Sequence, residues 1–402
     1  MAFRGLALAF AVVAGYLILQ SLTGGSPRLL GGEEIPPERM LERLKTLPAA
    51  ERQALLAREQ KDLASDPLKL TALTNMVLLY EVLGDKGRSQ ELTVLAGQRS
   101  LRDLPVQRAV LQILLDRKDY SGALYRLDGL IRSRPERSAE LMQVMISFID
   151  TETARASLVD MLSQDPPWRD TFLSLIGQQS KQIDSVYRVF SALRKTASPV
   201  TSPELRPFLQ RLITEGSFER ANYVWLDFLS DAELRKVAPV FDGNFDLDIG
   251  NRFFDWTYKP MKNVDLRIVP RASGSADKVL RVDFGSGRTP FANFSQLLRL
   301  EAGQYLLSGE AKSDNLKNEG GLVWRVRCLA DASPVIAQSL PLLGTLAWSR
   351  FEKSFTVPAQ NCATQQLRLE LNARAKLDYQ ISGRVLYDNI AIKKRDGTLA
   401  SP

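Results

Sequence analysis

The 402-residue chain contains no histidine and only two cysteines, Cys328 and Cys362. Without imidazole there is no Ser-His-Asp or Cys-His nucleophile system and no His-ligated metal. Two cysteines are too few for a structural zinc site, and neither stands near the N-terminus, so a lipoprotein anchor is not expected. An enzyme would have to work with carboxylates, lysine, tyrosine or Ser-Lys chemistry. No Asp/Glu pair stands out from the ordinary surface acids as a glycosidase pair would, so a non-enzymatic protein is expected. Runs of Lys/Arg interleaved with aromatics are also missing, and nucleic acid is not an expected partner. The net charge is +7, and residues 240–396 hold 22 Lys/Arg against 17 Asp/Glu. That surplus slightly favours an acidic partner, although the usual reading of such a surplus is simply a soluble surface.

Charge is likewise absent from one stretch at the start. From Gly5 to Leu22 the sequence reads GLALAFAVVAGYLILQSL. Eighteen such residues make a helix of about 27 Å, just enough to cross a hydrocarbon core of about 30 Å. Arg4 precedes the segment and Arg28 is the first charge after it, which places the N-terminus inside. The expected localisation is single-pass in the bacterial inner membrane, with the bulk of the chain in the periplasm. A cleaved signal peptide is the competing reading, although the apolar run exceeds the usual length of about 7–15 residues. Both readings export the remainder, and in an oxidising compartment Cys328 and Cys362 are expected to form a disulfide.

Helical periodicity follows a Gly/Pro linker at residues 31–37. Leu73, Met76, Val77 and Tyr80 make one apolar face, and Gly84 is placed to end that helix. Asp85 and Asp119 stand 34 residues apart, the tetratricopeptide period. Tyr120 takes the position of the turn aromatic, Ala123 that of the small residue at the helix crossing, and Pro135 that of the terminating proline. Asp66-Pro67 and Gly216-Ser217-Phe218 followed by Ala221 echo the same phrases. Residues 38–239 therefore resemble tetratricopeptide repeats, with a generic α-solenoid as the alternative. The resemblance implies a concave groove for a protein partner; a spacer is the plainer reading.

Near Val240 the texture changes to short alternating runs split by Gly, Asn and Asp. Strands are expected at 279–284, 304–310, 321–328, 350–357, 367–371 and 383–392, with no helices between them, which means a sandwich or barrel. Leu322, Trp324, Val326 and Cys328 share one face, so Arg325 and Arg327 take the other. Four phrases in order resemble jelly-roll carbohydrate-binding modules of the galactose-binding-like kind: Gly243-Asn244-Phe245-Asp246 followed by Phe254-Asp255-Trp256; Ala302-Gly303-Gln304-Tyr305; Trp348 leading to Phe351, Phe355 and Val357-Pro358; and Tyr387-Asp388-Asn389-Ile390.

The expected fold class is thus multidomain α + β. It comprises an anchor or signal segment at 1–30, the linker at 31–37, helical repeats at 38–239, an antiparallel jelly-roll β-sandwich at 240–396 and a tail at 397–402. The resemblance implies polysaccharide binding. Sugar sites combine aromatic platforms with amide, carboxylate or guanidinium groups, so the candidate residues are Trp256, Tyr258, Asn293, Gln296, Trp324, Arg325 and Arg327. For each tryptophan, core packing is the competing role, most strongly for Trp348; for Arg325 and Arg327 it is that of ordinary surface charges. The resemblance also implies a structural calcium at Asp246 and Asp388, with turn capping as the alternative; Asp246 where Glu is usual and Ala302 where Pro is usual weaken it. No cofactor is required. The expected function is a membrane-anchored envelope protein of polysaccharide synthesis or export, holding a glycan on the sandwich and a protein on the repeats. The alternative is a protein-binding scaffold with the sandwich as a structural module.

Overall fold

The computed structural model describes residues 28–29, 33–34, 37–99, 104–329 and 334–395. The expected anchor at residues 5–22 lies outside them. Among the described residues no helix is long and apolar enough to cross a membrane. The chain divides into two compact units, Met1–Pro199 and Val200–Pro402.

The first unit is helical: α1 (Pro37–Thr46), α2 (Ala49–Ser65), α3 (Leu70–Val82), α4 (Lys86–Arg99), α5 (Leu104–Asp116), α6 (Tyr120–Ser133), α7 (Ser138–Ile146), α8 (Glu152–Ser163), α9 (Arg169–Gln179) and α10 (Ile183–Leu193). In α3 the buried face is Leu73, Met76, Leu79 and Tyr80. The 34-residue echo has a local cause. Gly84 takes φ +83° and Lys118 φ +56°, which lets the next N–H reach back to close each helix: Asp85 to Tyr80 O at 3.0 Å and Asp119 to Leu114 O at 2.8 Å. The two aspartates then cap the following helices, accepting from Arg88 N–H at 3.1 Å and Gly122 N–H at 2.9 Å. Ala123 is fully buried. At Gly97 a Cβ would meet Val110 Cγ2 at 2.6 Å, so α4 and α5 approach too closely there for a side chain. Pro135 opens a 3-10 turn, Pro135–Arg137, as well as ending α6.

The second unit begins with helices. α11 (Ser202–Thr214) and the four-residue α13 (Asp231–Leu234) each carry a capping box, Thr201 with Glu204 and Ser230 with Glu233; α12 (Phe218–Asp227) lies between them. The change from helix to strand at about residue 240 is therefore not the boundary of the compact unit. Trp225 of α12 packs on Phe241 and Phe254, with centroids at 5.2 and 5.7 Å. Arg252, 5% exposed, pairs with both Asp255 and Glu233 of α13.

Ten strands follow: β1 (Thr257–Tyr258), β2 (Val264–Pro270), β3 (Lys278–Arg288), β4 (Phe294–Leu298), β5 (Gly303–Lys317), β6 (Leu322–Cys328), β7 (Val335–Gln338), β8 (Gly344–Val357), β9 (Gln365–Leu371) and β10 (Gln380–Lys394). They form two antiparallel five-stranded sheets, in the orders β8-β5-β10-β3-β2 and β1-β4-β9-β6-β7. Alternation sends one side chain in two into the space between the sheets. There Trp324 packs edge-on to Tyr387, centroids 5.5 Å apart, and Trp256 stacks on Phe294 at 4.8 Å. Cys328 and Cys362 are joined by a disulfide.

Candidate functional site: an arginine face on one sheet

The strand register sorts the expected site residues into two groups. Trp324, Leu369 and Phe294 align on the inner face of the β1-β4-β9-β6-β7 sheet, as do Val326, Leu367 and Gln296. Trp256 and Trp324 are 3% and 1% exposed, so neither forms a surface platform; both are core residues. Trp256 Nε1–H is satisfied by the Asp242 carbonyl at 3.0 Å. Gln296, also buried, uses both ends of its amide on the Phe241 backbone, accepting from N–H at 2.8 Å and donating to C=O at 3.0 Å. It is a fastener of the chain entering the sandwich and cannot meet a ligand. Tyr258 is half-buried in β1, its hydroxyl facing the Val264 carbonyl, and Asn293 donates to the Lys259 carbonyl. The structure does not bring these residues together as a site.

Arg325 and Arg327 stand on the outer face, as alternation requires. Opposite them on β9 the register sets Arg368 against Arg325 and Gln366 against Arg327. The three guanidiniums converge on Glu370, whose side chain is only 4% exposed. Arg327 Nη2 donates to Oε1 at 2.8 Å, Arg325 pairs with the same oxygen, and Arg368 takes Oε2. Arg325 also donates to Gln338 Oε1 at 2.7 Å and to Asn372 Oδ1 at 2.6 Å, which fixes its plane. Burial pushes the Glu370 carboxyl up, but hydrogen bonds from Arg325 and Arg327 and the charge of Arg368 outweigh it and hold the carboxyl below its usual range. One carboxylate therefore anchors three cations, and this local group keeps a surplus of two positive charges. Arg327 Nε is buried without a partner. Arg368, Glu370, Gln366 and Gln338 were not singled out from the sequence, although the run Gln366-Leu367-Arg368-Leu369-Glu370 alternates plainly enough to put three of them beside Arg325 and Arg327.

The outer face of the other sheet is built differently. Arg271 reaches from the β2–β3 hairpin to Asp388 and to Glu310, the latter at 2.7 Å, and its guanidinium lies 4.2 Å from the centre of the Trp348 ring. Trp348 is thus a half-buried surface residue and not the core residue expected. Asp283 likewise takes both Arg281 and Arg384. These cations bear on the calcium implied by the family resemblance. Asp388 is fully buried beneath Arg271, and Asp246 is held by Lys236 and by Asn244 Nδ2–H at 2.6 Å. No group of three or more acidic or thiol ligands exists among the described residues. A guanidinium and an ammonium already supply the charge that a metal would, and this donor set does not fit calcium.

No family model matches the chain, and no curated protein matches it. Solved structures do. A chain described as "CBM4 structure and function" is 16% identical over 39% of this chain and 99% of its own, with a TM-score of 0.29. The CBM22-1 xylan-binding domain of Paenibacillus barcinonensis Xyn10C is 12% identical over 35% and 85%, TM-score 0.24. A carbohydrate-binding module of Cellvibrio mixtus lichenase 5A in complex with cellotriose is 13% identical over 36% and 99%, TM-score 0.23. The assignment of a ligand rests on the side chains of the arginine face.

Proposed function

We propose that the chain is a non-enzymatic envelope protein whose sandwich binds an acidic polysaccharide on the outer face of the β1-β4-β9-β6-β7 sheet. The observation that carries this reading is the convergence of Arg325, Arg327 and Arg368 on one buried carboxylate. Glu370 pre-orients the guanidiniums without neutralising them, and planar guanidinium forks suit uronate, sulfate or phosphate groups. The flanking amides of Gln338 and Gln366 suit hydroxyls. The disulfide accords with export. In this reading residues 5–22 hold the chain in the inner membrane with its bulk in the periplasm, and the helical unit engages a protein of glycan synthesis or export. Affinity electrophoresis of the full chain tests it. Polyuronate should retard the protein, neutral xylan should not, and added salt should weaken the retardation. Equal retardation by polyglutamate would reduce the face to a general polyanion binder, and no retardation by any acidic polysaccharide would end the proposal.

A second reading, a protein-binding scaffold, is favoured by the apolar residues on the segment joining β7 to β8. Leu340 is 82% exposed, with Leu343, Leu346 and Val335 exposed nearby. Exposed apolar surface of this kind suits a protein partner. A pull-down that retains a partner with the wild type but loses it with Leu340→Ser and Leu343→Ser would support this reading over glycan binding.

A further inference from the structure

The arginine face does not end at the last paired strand residue. Along β9 and β6 the outward positions are Arg368 beside Arg325 and then Gln366 beside Arg327. Two residues further along the same two chains come Thr364 and Leu329, still paired, with Leu329 N–H donating to Thr364 O at 2.9 Å. Both line a cleft of about 810 Å³, whose other walls include Phe218 and Asn222 of α12, Pro358 and Asn361. The cleft is therefore the continuation of the arginine face, and part of it is made by the helix that the sandwich carries with it.

The two ends differ in chemistry. At the cleft the charged side chains are matched: Arg299 pairs with Glu219 at 3.2 Å and Glu301 with Lys394 at 2.9 Å. The remaining polar side chains of the lining are neutral, the amides of Asn222 and Asn361 with Thr364 buried behind them, set among the apolar surfaces of Phe218, Leu329 and Pro358. Neutral amides beside apolar walls suit the hydroxyl edges and CH faces of uncharged sugars. Four residues at about 3.3 Å each put the Arg368–Arg325 row about 13 Å from the Thr364–Leu329 row, more than one sugar residue away.

We infer that the ligand is a heteropolysaccharide running parallel to β6 and β9, with an acidic residue on the arginines and adjoining neutral residues in the cleft against α12. This rests on the reading of the arginine face as a glycan site. The test uses the full chain in affinity electrophoresis. One set of probes is hyaluronan, gellan and xanthan, which place neutral residues between acidic ones; the other is polygalacturonate, acidic at every residue. Asn222→Ala removes one cleft amide, and Asn361→Gly removes the other while keeping the positive φ of +56° that alanine would strain.

At least one alternating polymer should bind more tightly than polygalacturonate. The double cleft variant, lacking two hydrogen-bonding amides, should lose about tenfold or more of that affinity and keep its affinity for polygalacturonate. Arg368→Ala should weaken both. If the cleft variant binds every polymer as the wild type does, or polygalacturonate binds most tightly, the cleft inference is overturned and the arginine reading stands. If no acidic polymer retards the wild type, the arginine reading itself has failed. Unchanged melting temperatures of the variants show that fold is not what was lost.

Discussion

The two outer faces of the sandwich use the same residue types to opposite ends. On the β8-β5-β10-β3-β2 sheet the two counts balance: Arg271 serves two carboxylates, Asp388 and Glu310, while Asp283 takes two arginines, Arg281 and Arg384. On the other sheet three arginines share Glu370. A matched network satisfies itself and holds strands together; an unmatched one retains charge for something outside the molecule. Arginine count alone does not separate these cases, and the ratio of cation to carboxylate within hydrogen-bond reach does.

The largest expected effect breaks the matched face. Arg271→Ala leaves Asp388 buried without its cation, which costs about 3–5 kcal/mol. Urea unfolding should show a lower midpoint while polyuronate retardation of the folded protein is unchanged, and calcium chelation should leave the wild type unaltered. A loss of binding equal to that of Arg368→Ala would erase the distinction between the faces.

Cys328→Ser with Cys362→Ser releases a loop of sequence separation 34 and should destabilise the fold by roughly 3–4 kcal/mol, read in the same unfolding experiment with and without reductant. Because Cys328 ends β6, this loss should loosen the arginine face before the matched one. Faster hydrogen exchange on the Arg271 sheet than on β6 and β9 would contradict that.

Arg368→Ala should reverse the Arg271 pattern. Arg325 and Arg327 still hold Glu370, so stability should change by about 1 kcal/mol or less, while the polyuronate affinity drops by about tenfold or more. A denaturant midpoint that falls as far as for Arg271→Ala would show the cluster to be structural.

The smallest effect is in pH. Asp242 is as buried as Glu370 but is met by the Asp246 and Leu247 N–H groups and no guanidinium; burial pushes its carboxyl up to about 6. A raised carboxyl pKa contributes stability that is full below the unfolded value and lost as pH rises through about 6. Glu370, held low, contributes stability present above its unfolded value and lost as pH falls through the folded one. Carboxyl NMR titration should find the two displaced in opposite directions; displacement of both upward would mean the three arginines do not govern Glu370.

The sequence carried the strands and the opposed faces of Trp324 and Arg325, because uninterrupted alternation fixes sidedness. It misled at Trp348, where the β8–β5 register shifts between Leu346 and Ser349; a bulge resets alternation, so the orientation of a residue inside it is not written in its spacing. Trp256 and Gln296 were misplaced because their hydrogen-bond partners, Asp242 and Phe241, are backbone groups on another segment, and backbone carries no residue-type signal. Arg271 lies 117 residues from Asp388, too far for any local pattern to name it as the cation there. The helices that belong with the sandwich were invisible for a different reason: the 3.6-residue period is the same on both sides of Pro199, and only packing such as Trp225 on Phe254 shows which body α12 serves.

The bond between Cys328 and Cys362 also makes a covalent ring of the excursion that holds β7, β8 and the exposed apex at Leu340. A protease cutting at that apex would produce two polypeptides that still migrate as one until the bridge is reduced. The nicked molecule would keep Cys362 tethered at the cleft and β6 beside β9. Damage at this exposed apex would thus stay separate from damage to the arginine face for as long as the surroundings remain oxidising.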